Sequence, residues 1–278
     1  MILYSSIFLF SSLLAFANCI IIDRCVKEKD VALTFEDGPS IKTTTELLDL
    51  LDSLRVKATF HIVTRHFDYP KVQQLTSEIM NRGHVLGYRL EAEWTMQDVT
   101  TAGIQGAVDY RLEMIKKASG KKPKFVRTSY NATDLVKNAL LASGLIVSVP
   151  NFETFDYKSD FNTESMLKRF DEASLNSVIS VQREFANDLF DTTKAFVEHL
   201  RSKGYNIVTL QECTGIEKIY EGDSNNVPKI TDYSNLNNQN QASTTSESSS
   251  SAEHSFNLRK TLPWLVLSVV STFILFNV

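Results

Sequence analysis

The chain has 278 residues, 43% of them hydrophobic, and its formal net charge is −4. This length and composition suit one globular domain with a sizeable core. The sequence contains no basic patch with interleaved aromatic residues, so we expect no nucleic-acid partner.

An apolar run opens the chain. Residues 2–17 are short for a membrane span, and they close on Ala15-Phe16-Ala17, the small-x-small pattern of signal-peptide cleavage. We therefore predict a signal peptide at residues 1–17 and entry into the secretory pathway. A retained N-terminal anchor is the alternative.

Apolar strands alternate with helical patterns through residues 18–230, which we assign to one domain. This alternation is typical of βα units around a parallel barrel or an open parallel sheet. In a barrel, functional residues gather at the carboxyl ends of the strands. The predicted strands are Val31–Phe35, Ala58–Val63, Val85–Tyr88, Lys124–Arg127, Leu145–Val149, Ser177–Gln182 and Asn206–Leu210. The predicted helices are Thr43–Leu54, Pro70–Arg82, Val99–Ser119, Thr133–Ser143, Thr163–Ala173 and Asp188–Lys203.

Three cysteines fit an oxidising compartment. Cys25 precedes the first predicted strand and Cys213 follows the last, so a bridge between them would join the two ends of the domain. Cys19 is then either free or part of an alternative pairing. Asn131, followed by Ala132-Thr133, is an acceptor for N-glycosylation.

The C-terminal part has a different composition. Residues 231–252 are polar and rich in Ser, Thr and Asn, so we predict a disordered linker. Residues 253–278 combine a polar spacer with an apolar tail, the order of a GPI-attachment signal with its site near Ser249–Ala252. A single membrane-spanning tail is the alternative, although it would leave Arg259 and Lys260 outside. Either anchor predicts a protein on the outer face of the plasma membrane, next to the cell wall.

The first predicted strand ends in the stretch TFEDGPS, where Glu36 and Asp37 precede a Gly-Pro turn. VALTFEDGPS resembles the TFDDGPS motif of the polysaccharide deacetylase (NodB-type, carbohydrate esterase family 4) family, which includes chitin deacetylases. Five further segments resemble the family's motifs in the same order, from Val31 to about Gly215: KATFHIV, RGHVLGYRLEAE, VRTSYN, NFETFDY and VISVQRE. The last strand, in KGYNIVTLQECTG, is also similar. The resemblance implies a distorted (β/α) barrel of about seven parallel strands.

Family members are metal-dependent hydrolases that remove acetyl groups from sugar amines. The resemblance implies zinc or cobalt held by one Asp and two His, with a second Asp as base and a late His as acid. Such a metal lowers the pKa of its bound water and polarises the acetyl carbonyl, while the base and the acid move the protons.

The metal positions carry over as Asp37, Arg89 and Glu93. Asp37 is intact, but a guanidinium such as that of Arg89 has no lone pair for a metal. Glu93 could ligate, but it is a harder ligand than the histidine it replaces. We therefore expect no metal cofactor at the vestigial metal site, and we propose that Arg89 takes the metal's place by pairing with Asp37 and Glu93.

The catalytic positions carry over as Glu36 for the base, Arg127 for the residue that orients it, and Asp156. Arg183 replaces the acid histidine and cannot give up a proton near neutral pH. Arg183 is expected to pair with Glu153 or Asp156. Glu184 stands beside it in place of the family's Asp.

Two further sets of residues bear on binding. A new metal site built from His61, His66 and Asp37 is conceivable, although His61 more often would be a packed residue in its strand. Aromatic side chains near the mouth could stack on sugar rings or pack in the core; they are Tyr88, Trp94, Tyr130, Phe155 and Tyr157. Of these we select Trp94, Tyr130 and Tyr157 as substrate-binding candidates.

Two functions are compatible with these residues. The first is a surface protein that has lost metal binding and deacetylase activity and has a structural or wall-binding role, with a chitin-like polysaccharide as its partner. The second is an active chitin deacetylase in which Glu36, Asp37 and Glu93 hold a hard metal through oxygen atoms. We favour the first, because Arg89 would repel a metal and a general acid typically contributes about 10²–10⁴-fold to such a reaction.

Overall fold

The structure, a computed structural model, describes residues 20–91, 100–129 and 132–222. All of these residues belong to the first of two units of the chain, Met1–Lys229, while the second unit is Ile230–Val278. The predicted signal peptide, Cys19, Glu93, Trp94, Tyr130, Asn131 and the C-terminal anchor lie outside the described residues.

The strands of the described residues form one sheet, and all pairs between named strands are parallel. They are β1 Ile20–Ile22, β2 Asp30–Ala32, β3 Thr34–Glu36, β4 Thr59–Ile62, β5 Val85–Arg89, β6 Phe125–Arg127, β7 Ile146–Ser148, β8 Phe152–Glu153, β9 Val178–Arg183 and β10 Asn206–Val208. Their spatial order is β1-β7-β6-β5-β4-β3-β9-β2-β10, and β8 pairs with β9. The predicted parallel α/β architecture is confirmed.

Helices connect most of the successive strands. They are α1 Thr44–Ser53, α2 Pro70–Asn81, α3 Thr101–Ser119, α4 Asp134–Ala142, α5 Thr163–Ala173, α6 Leu189–Ser202 and α7 Leu210–Thr214. Among the described residues, no helix has both the length and the apolarity needed to cross a bilayer.

The core lies between the sheet and the helices. Strands β4, β6 and β9 are buried along their whole length, as expected of parallel strands covered on both faces. Helix α1 buries Leu47, Leu48 and Leu51, which recur on one face because the helix has 3.6 residues per turn. The rings of Phe35 and Phe60, on neighbouring strands, stack with centroids 5.2 Å apart in this core.

The sheet brings the carboxyl ends of four strands to one edge. In the register of the sheet, Glu36 at the end of β3 is level with Arg183 at the end of β9. Arg89 at the end of β5 is level with Arg127 at the end of β6. Because parallel strands all point the same way, these four charged side chains meet at a single edge.

The structure refines the predicted strands in three places. The first predicted strand is divided at Leu33. β9 pairs with both halves in one register, but the other neighbour is β10 for β2 and β4 for β3. β1 and β8 were not predicted. The last predicted strand was wrong at its end, since it stops at Val208 and Leu210 begins α7. Thr209 caps that helix, and its hydroxyl and backbone N–H exchange hydrogen bonds with Glu212 in a capping box.

The predicted disulfide between Cys25 and Cys213 is confirmed. The two Cα atoms are 4.5 Å apart and the bridge closes a loop of 188 residues. In the chain-entropy description, closing a loop of this length stabilises the folded state by about 5 kcal/mol. The bridge therefore joins the two ends of the domain, as the sequence suggested.

Candidate functional site

The site begins where β3 ends. Asp37, directly after the strand, has a φ of 70°, a left-handed conformation that Asp tolerates better than most residues. Its backbone N–H donates to the carbonyl of His61 on β4, with 3.3 Å between N and O. The carbonyl of Gly38 accepts from the N–H of Val63 at 2.8 Å. The turn thus stays attached to β4 and holds two adjacent carboxylates at the edge of the sheet.

The carboxylate of Glu36 is surrounded by guanidinium groups. The residue is only 3% exposed. One of its oxygens lies 3.0 Å from Nη2 of Arg183, and the other lies 3.5 Å from Nε of Arg89 and 3.7 Å from Nη1 of Arg127. Both oxygens of Glu36 are therefore occupied by positively charged partners.

Arg183 is the centre of a larger ion cluster. Its two terminal nitrogens bind both oxygens of Glu153 in a bidentate pair. Its Nη1 lies 3.8 Å from Asp156, and its backbone N–H donates to the same carboxylate at 2.8 Å. Burial lowers the pKa of Arg183, but Glu153, Glu36 and Asp156 outweigh burial and raise it above its ordinary value. Arg183 therefore stays charged at any ordinary pH.

Asp156 is an acid with an altered affinity for protons. Burial raises the pKa of its carboxyl to about 6, and the hydrogen bond from the backbone of Arg183 and that residue's charge act in the opposite direction. Tyr157 follows it, half of its surface is exposed, and its ring centroid lies 4.8 Å from the guanidinium carbon of Arg183. Tyr157 thus covers the cluster from the solvent side.

Asp37 is the most accessible carboxylate of the group. Nε of Arg89 and Nη2 of Arg65 each lie 3.9 Å from its Oδ1. Burial and the neighbouring Glu36 raise the pKa of Asp37, and the surrounding arginines counter part of that effect. The predicted pairing of Arg89 with Asp37 is present, but Glu36 is closer to Arg89 than Asp37 is.

Beneath these charges lies a buried polar chain. Arg127 is 1% exposed and donates from Nε to Ser148 and from Nη2 to Thr34, at 3.1 and 3.2 Å. The hydroxyl of Ser148 lies 2.8 Å from Nε2 of His61. Burial, together with Arg127 and Arg89, holds the pKa of His61 well below its ordinary value. His61 is fully enclosed and neutral, so it belongs to the support of Arg127.

Glu184 is a second buried acid beside the turn. It accepts a hydrogen bond from the hydroxyl of Thr44, and a Cβ placed on Gly38 would lie 1.8 Å from its Oε1. Burial raises the pKa of Glu184 to about 7, and the charge of Asp37 adds to this rise. Only glycine at position 38 leaves room for this carboxyl group.

The family described as Polysaccharide deacetylase matches residues 23–144, a segment that includes Glu36, Asp37, Arg89 and Arg127.

The chain contains a polysaccharide deacetylase domain.

Individual relatives are distant. A peptidoglycan-N-acetylglucosamine deacetylase of Bacillus cereus is 26% identical over 187 residues, which cover 65% of this chain and 66% of that protein. The chain therefore spans slightly less than two thirds of this relative. The solved chitin deacetylase of Colletotrichum lindemuthianum aligns with a TM-score of 0.66 at 25% identity, covering 74% of this chain and 96% of that one. A solved CE4 family pseudoenzyme from Bacillus anthracis shares the fold, with a TM-score of 0.62 at 18% identity, over 70% of this chain and 69% of that one.

The side chains at the strand ends of the polysaccharide deacetylase domain do not fit the zinc or cobalt ion that the family resemblance implies. Arg89 and Arg183 carry no lone pair for a metal. Their guanidinium groups instead form ion pairs with the carboxylates of Glu36 and Asp37. No group of three or more His, Cys, Asp or Glu side chains in residues 20–91, 100–129 and 132–222 is arranged to hold a metal ion. The conceived site of His61, His66 and Asp37 is not formed, because His61 is buried against Ser148.

Sequence reasoning missed a second ion pair system in the domain. Glu91 is buried, and its carboxylate lies 3.6 Å from Nε of Arg65 and 3.8 Å from Nη1 of Arg111. Glu91 lies two residues after the end of β5. A charged residue so close to the end of a strand was the feature of the sequence that could have predicted this ion pair. Among the aromatic candidates, Tyr88 was wrongly placed at the mouth, because it is fully buried in the core.

Proposed function

We propose that this polysaccharide deacetylase domain has lost metal binding and deacetylase activity and acts at the cell surface by associating with a wall polysaccharide. One observation carries the proposal: the guanidinium groups of Arg89 and Arg183 lie on Glu36 and Asp37, the carboxylates that the family uses as base and metal ligand. A bound cation would have to displace these charges, and no residue at position 183 could protonate the leaving amine.

Two further considerations support this proposal. A protein of Bacillus anthracis with the same fold is described as a CE4 family pseudoenzyme. The replaced side chains are also mutually complementary, because each arginine at the strand ends lies beside a carboxylate. Complementary charges of this kind stabilise a fold that no longer needs a metal to neutralise its acidic edge.

The proposed location rests on the sequence. Residues 1–17 resemble a signal peptide, and residues 253–278 resemble a GPI-attachment signal or a membrane anchor. Several relatives are deacetylases of chitin or peptidoglycan. We therefore include a wall polysaccharide and a membrane anchor in the proposal.

An assay of acetate release tests the loss of activity. Chitohexaose is incubated with the full-length chain in the presence of zinc or cobalt, in parallel with an Asp37→Asn variant. We expect no release above that of the Asp37→Asn variant with either metal. Acetate release by the wild-type chain that is lost on changing Asp37 would contradict the proposal and support the active deacetylase with rearranged ligands.

A further inference from the structure

An open groove of about 460 Å³ lies beside Asp37. Its wall is formed by segments that follow three different strands, and Asp37 is a lining residue that the groove shares with the charged edge of the sheet. The lining residues that matter for binding are Ile41, Lys42, Arg65, Tyr69 and Phe185.

The apolar part of this groove is unusually open to solvent. Tyr69 is 63% exposed, Phe185 is 57% exposed and Ile41 is 63% exposed. Clustered exposed apolar side chains commonly mark a binding surface. The faces of aromatic rings are electron-rich, so they accept the partly positive C–H groups on the flat side of a sugar ring.

The charged part of the groove has an excess of positive charge. Lys42 is exposed and makes no ion pair with any described residue. Arg65 has half of its side chain exposed and lies 3.9 Å from Asp37 and 3.6 Å from Glu91. Both distances are longer than a charge-assisted hydrogen bond, so a ligand carboxylate can approach the guanidinium more closely than either residue does. The one carboxylate in the lining, Asp37, is shared with Arg89.

We infer that this groove binds an acidic polysaccharide, with a sugar ring on Tyr69 or Phe185 and a uronic-acid carboxylate on Lys42 and Arg65. A guanidinium fork and an ammonium group both bind carboxylates through charge-assisted hydrogen bonds. The inference rests on the proposed function, since a ligand held beside an inactive site is bound without being converted. It goes further by assigning the binding to one groove and to anionic sugars instead of neutral N-acetylated ones.

Titration of two matched oligosaccharides into the full-length chain tests this inference. A hexamer of galacturonic acid supplies the carboxylates, and chitohexaose is a neutral chain of the same length. We expect the galacturonate hexamer to bind more tightly at low salt and to lose affinity at high salt, because ions screen exposed charges. Equal binding of chitohexaose, or the absence of binding by the galacturonate hexamer, would overturn the inference.

Substitutions locate the binding. Tyr69→Ala and Lys42→Gln should each weaken binding of the galacturonate hexamer by about two- to tenfold, the range typical of one aromatic contact or one exposed charge pair. Matched controls are Tyr110→Ala, at a tyrosine that is 65% exposed on α3, and Lys117→Gln on the same helix. Controls that weaken binding as much as the groove variants would overturn the assignment to this groove.

The same samples separate the two proposals. Acetate release from chitohexaose would refute the loss of activity, whatever the galacturonate titration shows. A chain that neither releases acetate nor binds the galacturonate hexamer would refute the groove assignment and leave the loss of activity intact.

Discussion

Arg183 contacts three carboxylates at the end of β9, those of Glu36, Glu153 and Asp156. All four residues are almost completely shielded from water. The cost of burying so many charges is offset only while each retains an opposite charge nearby. We therefore expect Arg183, at the position where the resemblance implies an acid histidine, to act as a structural centre of the site.

Replacing Arg183 with a neutral side chain of similar length should destabilise the domain. Arg183→Met leaves three buried carboxylates without their main partner, and removal of one member of a buried ion pair costs about 3–5 kcal/mol. The free energy of unfolding, measured by urea denaturation, reports this loss. The matched control is Arg24→Met, whose pair with Asp23 is well exposed and should change stability by less than about 1 kcal/mol. A loss no larger for Arg183→Met than for Arg24→Met would contradict the structural role.

Glu184 should make stability depend on pH. Burial raises the pKa of its carboxyl from 4.5 to about 7, so between these values the folded chain binds a proton that the unfolded chain has lost. The stability contributed by the neutral carboxyl is fully present below pH 4.5 and is lost as pH rises through 7. Asp156, with a pKa raised to about 6, acts in the same direction.

Glu184→Gln keeps an oxygen that accepts from Thr44 but removes the ionisation. Thermal denaturation should show that this variant gains stability relative to the wild type as pH rises from 5 to 8, by an amount on the order of 3 kcal/mol. Glu198→Gln, at an exposed glutamate of α6, is the control and should follow the wild type. A constant difference between Glu184→Gln and the wild type across this pH range would show that Glu184 does not titrate there.

The conformation of the turn after β3 is restricted by its neighbours. Gly38 lies against Glu184, and a methyl group at this position would overlap its carboxyl. Two hydrogen bonds also join the turn to the β4 segment, one from the N–H of Asp37 to the carbonyl of His61 and one from the N–H of Val63 to the carbonyl of Gly38. Its shape is thus set by Glu184 on one side and by β4 on the other.

Two glycine substitutions with opposite expected effects test this restriction. Gly38→Ala should destabilise the domain by about 1–3 kcal/mol, as overpacking in a well-packed interior does. Gly106→Ala lies in the middle of α3 with nothing within 4 Å of the added Cβ, and it should stabilise by about 0.5–1 kcal/mol. Chemical denaturation of both variants decides the matter, and equal effects would contradict the described packing around Gly38.

The sequence was sufficient to predict the elements with strong local patterns. Strands β4 and β9 are rich in apolar and β-branched residues, and α1 repeats its leucines at helical spacing. β1 and β8 have three and two residues, too few for a local pattern, and they exist because a neighbouring strand pairs with them. The end of β10 was missed because a capping box at Thr209 begins a helix inside an apolar run.

Motif order singled out Glu36, Asp37, Arg89, Arg127 and Arg183, and the structure places them together at one edge of the sheet. Motif order could not rank the partners of an arginine, so Glu36 was not expected to be the nearer partner of Arg89. The pair of Glu91 with Arg65 and Arg111, and the contact of Glu184 with Gly38, join segments that are distant along the chain. Such contacts depend on how the strands are ordered in space, which no local pattern encodes.

At the scale of the molecule, the domain retains the fold of its family while the chemistry of the strand edge has changed. Arginines and carboxylates neutralise one another at the edge of the sheet, where the resemblance implies histidines and a metal. The disulfide between Cys25 and Cys213 joins the two ends of the domain, and the parallel sheet sets the positions of the charged side chains at its edge. We therefore propose that the domain is stable and folded with no metal at this edge.

The metal content of the full-length, untagged chain tests this claim most directly. The chain is incubated with excess zinc or cobalt, unbound metal is removed, and metal per chain is measured by atomic spectroscopy. We expect far less than one metal per chain, and a substantial increase in a variant that combines Arg89→His with Glu93→His. One tightly bound metal per wild-type chain, lost on changing Asp37 to Ala, would contradict this expectation and support an active metal-dependent deacetylase.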